Sequence, residues 1–154
     1  MGTRSLVIGA TGYTGHHVVK ELRSTGVETV AHVRPDSSQG DAWESRLESY
    51  GADVSRAAWD HLAMQGTLQD VQPTMIFALL GTTKARRKAL VARGEDGANE
   101  TYAKVDRDLT LMVLDAAIEL PTRPLFVYLS SLGADINARL PYLRVRGEVE
   151  RRIA

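Results

Sequence analysis

Three groups of residues in this chain are of types and spacings that could do chemistry. The first is Gly9-Ala10-Thr11-Gly12-Tyr13-Thr14-Gly15, which follows the apolar run Leu6-Val7-Ile8. A glycine turn between a strand and a helix leaves unpaired N–H groups and a positive helix end facing one place. An anion fits there, most often a dinucleotide pyrophosphate. In that reading Gly9 makes the tight turn, Gly12 lets the backbone approach the phosphates, and Gly15 lets the helix lie close on the sheet. The spacing is G-x-x-G-x-x-G, not G-x-G-x-x-G, and a glycine triplet alone is weak evidence. The alternative is an ordinary strand–turn–helix corner.

The second group is Ser130 and Ser131 with Tyr142 and Arg146. Tyr142 and Arg146 are four apart and share a helix face. A tyrosine works as an acid or base near neutral pH when an adjacent cation favours its anion. Arginine supplies the charge but does not release a proton. The expectation from these residues is that Tyr142 works as an acid or base activated by Arg146, with the hydroxyls of Ser130 and Ser131 near the expected nicotinamide. The competing reading makes Tyr142 a core residue and pairs Arg146 with Glu150. The third group is Arg34 alone, at the tip of a strand ending Ala31-His32-Val33-Arg34 with no carboxylate. An acidic residue there would favour a free ribose 2′-hydroxyl, whereas arginine suits a 2′-phosphate. That argues for NADP(H) ahead of NAD(H). The alternative is a solvated arginine before a proline turn.

The elements that must position these groups alternate between strand-like and helix-like runs, the pattern of a parallel sheet covered on both faces. Strands are predicted at Ser5–Ile8, Thr29–Val33, Ala52–Ser55, Thr74–Leu80 and Leu125–Leu129. Helices are predicted at Thr14–Ser24, Asp41–Tyr50, Asp60–Gln65 (broken by Gly66), Glu100–Leu120 and from Pro141 to the end. Lys84 to Asn99 has poor order signals and is expected to be a mobile loop over the cofactor. Asp106-Arg107-Asp108 reads as helix-surface pairing. No linker divides the sequence, so 1–154 reads as a single domain.

The motifs Gly9–Gly15, Leu80-Gly81-Thr82-Thr83, Tyr102 with Val105-Asp106-Arg107-Asp108, Ser130-Ser131-Leu132-Gly133-Ala134-Asp135, and Tyr142-Leu143 with Gly147-Glu148-Val149-Glu150 occur in order along the chain. In this the chain resembles the short-chain dehydrogenase/reductase superfamily. Its similarity is to the atypical branch, with the NAD(P)H-binding, NmrA-like proteins and the Tat-interacting-protein group. The resemblance implies a three-layer αβα Rossmann fold, a doubly wound parallel sheet of strand order 3-2-1-4-5. It implies cofactor contacts from Gly9, Thr11, Gly12, Tyr13, Thr14, Gly15, Arg34, Leu80, Gly81, Thr82, Thr83, Ser130, Tyr142 and Arg146. Asp53 and Val54 fall where relatives touch the adenine. Ser131, Tyr142 and Arg146 take the active-site positions, with Arg146 where the family has lysine. Relatives continue with a sixth strand and a small substrate-binding region beyond the position of Ala154, so the sequence is expected to be either a fragment or a reduced protein.

The expected function is therefore an NADP(H)-binding oxidoreductase moving hydride between nicotinamide and a small carbonyl-type acceptor. Its rival is a weakly active or inactive NADP(H) sensor that docks on a partner protein. A sugar-nucleotide epimerase or dehydratase is a third option. Lys plus Arg equals Asp plus Glu at 19 each, so charge gives no push toward nucleic acid or anionic membrane. The basic residues from Lys84 to Arg93 have no interleaved aromatics to stack on bases. No apolar run approaches membrane-spanning length. Cysteine is absent, which excludes thiolate metal sites. His16 and His17, being adjacent, are expected to point apart and share no ion, so no metal site is expected. With no room for a signal peptide before the first strand, a cytoplasmic location is expected.

Overall fold

A computed structural model describes residues 2–154. Its five strands are β1 (Arg4–Ile8), β2 (Glu28–His32), β3 (Asp53–Ser55), β4 (Met75–Ala78) and β5 (Leu125–Tyr128). All pair in parallel, in the order β3-β2-β1-β4-β5. This is the doubly wound order expected from the sequence. Along β1, Val7 joins an apolar cluster with Ala31, Val19 and Leu47, against which Phe77 packs. Leu6 and Ile8 alternate to the opposite face, as a strand period of two requires. The order reverses direction at β1, so right-handed crossovers put the helices before and after β2 on one face and the helix after β3 on the other.

The helices are α1 (Tyr13–Ser24), α2 (Gly40–Ser49), α3 (His61–Val71), α4 (Lys84–Ala92), α5 (Leu109–Ile118) and α6 (Pro141–Ile153). Three departures from the sequence reading stand out. Helix α3 continues through Gly66 to Val71. It is held at its start by Asp60, whose side chain accepts from the Ala63 amide at 2.8 Å, and stops at Gln72 in the left-handed region before Pro73. A single glycine costs a helix only about 1 kcal/mol, too little to break a capped one.

The stretch expected as a mobile loop contains α4. Thr83 caps it by accepting from the Arg86 amide at 3.0 Å, and its alanine, arginine, lysine and leucine residues are all good helix formers. Finally, the long helix predicted from Glu100 is two segments. Tyr102–Asp108 is a π-helical turn, capped by Thr101, and α5 follows it directly. Such wide turns rotate the residues within them relative to the following helix.

The chain forms two compact units. One, the sheet unit, comprises the residues up to Leu79 together with Val113–Tyr128. The other comprises Leu80–Met112 and Leu129–Ala154.

Candidate functional site

In the sheet unit, β1 runs into a turn closed by the Gly12 amide donating to the Gly9 carbonyl at 3.1 Å. Gly9 holds φ at +82°, a conformation other residues rarely adopt. Gly15 is needed for a different reason. A Cβ there would lie 2.0 Å from the Gly9 carbonyl oxygen and 2.8 Å from the Ala10 Cα. Helix α1 starts from Gly12 with no side-chain cap and no acidic residue in its first turn. The amides of Tyr13, Thr14 and Gly15 are thus the uncapped donors of a helix N-terminus, and Tyr13 is 83% exposed beside them. Thr11 is half-buried in the same turn. A diphosphate fits this donor set, which presents N–H groups, a helix dipole and no competing carboxylate.

His16 adds a feature that sequence reading missed. Its Nδ1 lies 2.8 Å from the Gly12 carbonyl oxygen, so Nδ1–H donates to the loop it follows. Its ring also lies 4.1 Å from that of His17 and 5.7 Å from that of Trp43. The two histidines therefore do not point apart. No group of three metal-ligating side chains occurs among the described residues.

Beyond β2, Arg34 is half-buried in the turn that the Ser37 amide closes on its carbonyl at 3.3 Å. Arg56, which the sequence did not single out, pins this turn. It donates to Asp41 at 3.2 Å, to Glu44 at 3.0 Å and to the Pro35 carbonyl at 3.2 Å. Its guanidinium occupies the space of a missing side chain, since a Cβ on Gly40 would lie 2.2 Å from it. His32, 2% exposed, donates through Nε2 to the Ala57 carbonyl at 2.8 Å and packs on Trp59 at 4.5 Å. Burial pushes its imidazole below the ordinary histidine range, with the Ala57 bond opposing and Arg56 assisting. Asp53 and Val54 lie early in β3. Asp53 is level with Val30 and Ser55 with His32, so Ser55 and Arg56 stand at the carboxyl end of that strand.

The second unit carries the other predicted residues. Tyr142 and Arg146 lie on α6, which starts at Pro141. The Arg146 guanidinium carbon is 5.0 Å from the centre of the Tyr142 ring, and the Tyr102 ring is 5.5 Å from it at 60°. Arg146 is 5% exposed. It donates through Nη2 to Asp106 at 2.9 Å and through Nη1 to the Leu129 carbonyl.

Asp106, read from the sequence as a surface residue, is completely buried. It also accepts from the Thr82 amide at 3.0 Å. Burial pushes its carboxyl above the ordinary range, while Arg146 and the Thr82 amide draw it back. Thr82 in turn donates its hydroxyl to Glu100 at 2.5 Å, and Arg86 donates to Glu100 at 2.8 Å. A Cβ on Gly81 would lie 3.1 Å from Arg146 Nη2, so the glycine makes room for the ion pair.

Leu80 is buried, and Thr83 begins α4 as its cap. Ser130 and Ser131 follow the Leu129 carbonyl that Arg146 holds; both are half-buried, and the Ser131 carbonyl accepts from the Ala134 amide at 3.0 Å. The signal for Asp106 was available. It lies four residues after Tyr102 and three before Leu109, on the inward stripe of its segment.

The chain belongs to the NAD dependent epimerase/dehydratase family, whose profile matches residues 5–137. This accords with the resemblance to short-chain dehydrogenase/reductases and with a nicotinamide dinucleotide as the family's cofactor. Among curated proteins, the chain is 34% identical over 152 residues to protein FMP52, mitochondrial, of Eremothecium gossypii, covering 96% of this chain and 58% of that protein. It is 27% identical over 148 residues to protein fmp52, mitochondrial, of Emericella nidulans, covering 94% and 57%. The chain thus spans a little over half the length of these relatives. Their names overturn the cytoplasmic expectation, which rested on the position of the first strand and the lack of a membrane-spanning apolar run. Among solved structures, a UDP-glucose 4-epimerase from Thermotoga maritima shares the fold with a TM-score of 0.67 at 21% identity, over 98% of this chain and 50% of that one. Pinoresinol-lariciresinol and phenylcoumaran benzylic ether reductases share it at 0.67 and 20%, over 99% and 46%.

Proposed function

We propose that this chain binds NADP(H) and supports oxidoreduction of a small carbonyl-type acceptor. The observation that carries the proposal is the uncapped first turn of α1 behind a loop that requires glycine at positions 9 and 15. A bound nicotinamide ring would supply or accept the hydride. Tyr142 donates the proton to the acceptor oxygen, and Ser131 orients that oxygen through its hydroxyl. Arg34 takes the 2′-phosphate, because Arg56 holds its turn in place and is itself engaged by two carboxylates. The mitochondrial names of the fungal relatives support a mitochondrial setting.

Calorimetry with the oxidised and reduced forms of both nucleotides tests the binding step. NADPH binds more tightly than NADH in this reading, and Arg34→Ala weakens NADPH by roughly tenfold more than NADH, the value of one charge-assisted contact of about 1.4 kcal/mol. Equal losses remove the choice of cofactor. Tyr142→Phe abolishes turnover while nucleotide binding stays close to that of the parent; full turnover in that variant removes the proton-donor role.

A second reading, an NADP(H)-sensing module that docks on a protein partner, is favoured by one observation. The cation beside Tyr142 is engaged by Asp106 and a carbonyl. Tight NADPH binding with no oxidation across a panel of carbonyls and quinones selects it.

A further inference from the structure

The arginine at position 146 has a planar fork whose two terminal nitrogens are aimed at fixed acceptors. Nη2 meets the Asp106 carboxylate and Nη1 the Leu129 carbonyl. Asp106 is anchored independently of the arginine, and the Leu129 carbonyl lies just past the end of β5. Asp106 is completely buried and held by the Thr82 amide, and Leu129 leads the segment carrying Ser130 and Ser131. With the fork held on those two acceptors, the guanidinium carbon lies over the Tyr142 ring, 5.0 Å from its centre. The Tyr102 ring meets the same phenol at 5.5 Å. Tyr102 and Asp106 both belong to the π-helical turn 102–108, so one irregular segment supplies both contacts.

We infer that Asp106, Arg146 and Tyr102 are positioning residues for Tyr142: Asp106 fixes the guanidinium, and the guanidinium and the Tyr102 ring fix the phenol. The inference rests on the reading of Tyr142 as the proton donor. It assigns Arg146 a different task from that of an active-site cation, because a buried carboxylate beside it offsets its charge while leaving its shape to do the holding. The feature that matters is then the planar fork. A lysine ammonium has no fork to span both acceptors and no flat face to stack on the ring.

Arg146→Lys separates the two tasks. If residue 146 acts as a catalytic cation, lysine keeps or raises turnover. If it positions, kcat falls on the order of tenfold with little change in KM, the scale of a small misplacement of a reacting group. Tyr102→Ala lowers kcat similarly, and Tyr102→Phe, which keeps the ring, recovers most of the loss.

A readout independent of turnover is the flip rate of the Tyr142 ring, followed by NMR on ring-labelled tyrosine and assigned with Tyr142→Phe. Flipping is expected to be faster in Arg146→Lys and in Tyr102→Ala than in the parent. Unchanged flip rates in both variants overturn the inference. Retained turnover in Tyr142→Phe with altered flip rates removes the proton-donor reading and leaves the positioning intact.

Discussion

The interior of the sheet unit is built from Leu6, Val7, Ile8, Val19, Leu47 and Ile76, all without exposed surface, and polar groups enter it at few points such as the Ser5–Thr29 hydroxyl pair. In the unit of Leu80–Met112 and Leu129–Ala154, the buried set includes Asp106, Arg146, Glu100 and Thr82. Apolar burial is non-directional, so many arrangements of the first kind of core are tolerated. A buried ion pair holds only in one geometry, and each of its members is costly once its partner is lost. One unit is thus organised by pattern and the other by particular pairs. The residues proposed for phosphate binding belong to the first, and those proposed for proton transfer belong to the second.

The sharpest way to break this comparison is at a place where the sheet unit also depends on a single contact. Gly15→Val puts side-chain atoms into the Gly9 carbonyl, and nucleotide affinity by calorimetry is expected to fall more than ~100-fold, a loss above 2.7 kcal/mol. Next comes the pair of opposite kind. Arg146→Met leaves the Asp106 carboxylate buried without its ion-pair partner, and urea denaturation is expected to show a loss of about 3–5 kcal/mol. The double variant Arg146→Met with Asp106→Leu is expected to recover much of that loss. By contrast, Ile76→Val in the sheet core is expected to cost about 0.5–1.5 kcal/mol. If the single ionic substitution costs no more than the apolar one, the contrast between the units fails.

A smaller effect comes from His32, whose imidazole is held below its ordinary range by burial. The unfolded chain then binds the extra proton first. Stability linked to this residue is complete above the unfolded histidine value of about 6.5 and is lost as pH falls below it. The thermal midpoint should decline between pH 7 and pH 5, and His32→Phe should flatten that decline. Smallest is Gly66→Ala. A Cβ there meets nothing within 4 Å, so α3 should gain about 0.5–1 kcal/mol, read by denaturant midpoint.

Much of the sheet unit was legible because its signals are local. The strand runs, the glycine turn and the stop after Ser24 lie within a few residues of what they determine. Misreadings arose where a local signal met a competing one. Gly66 was read as a breaker although Asp60 caps the helix and Gln72 ends it. The charges of α4 hid a good helix sequence behind a Thr83 cap. Asp106 was assigned to the surface from its charged neighbours, whereas Arg107 and Asp108 are half-buried and paired with each other, Arg107 also with Glu148.

The sequence by itself determined the strand–helix alternation, the glycine loop and the presence of an arginine four residues after Tyr142, because hydrophobic period, turn chemistry and helical spacing act over short distances. Only the tertiary structure decided what that arginine touches. Its partner lies forty residues away. A pairing at that separation is chosen by how the packed segments exclude water, which no short window of residues encodes.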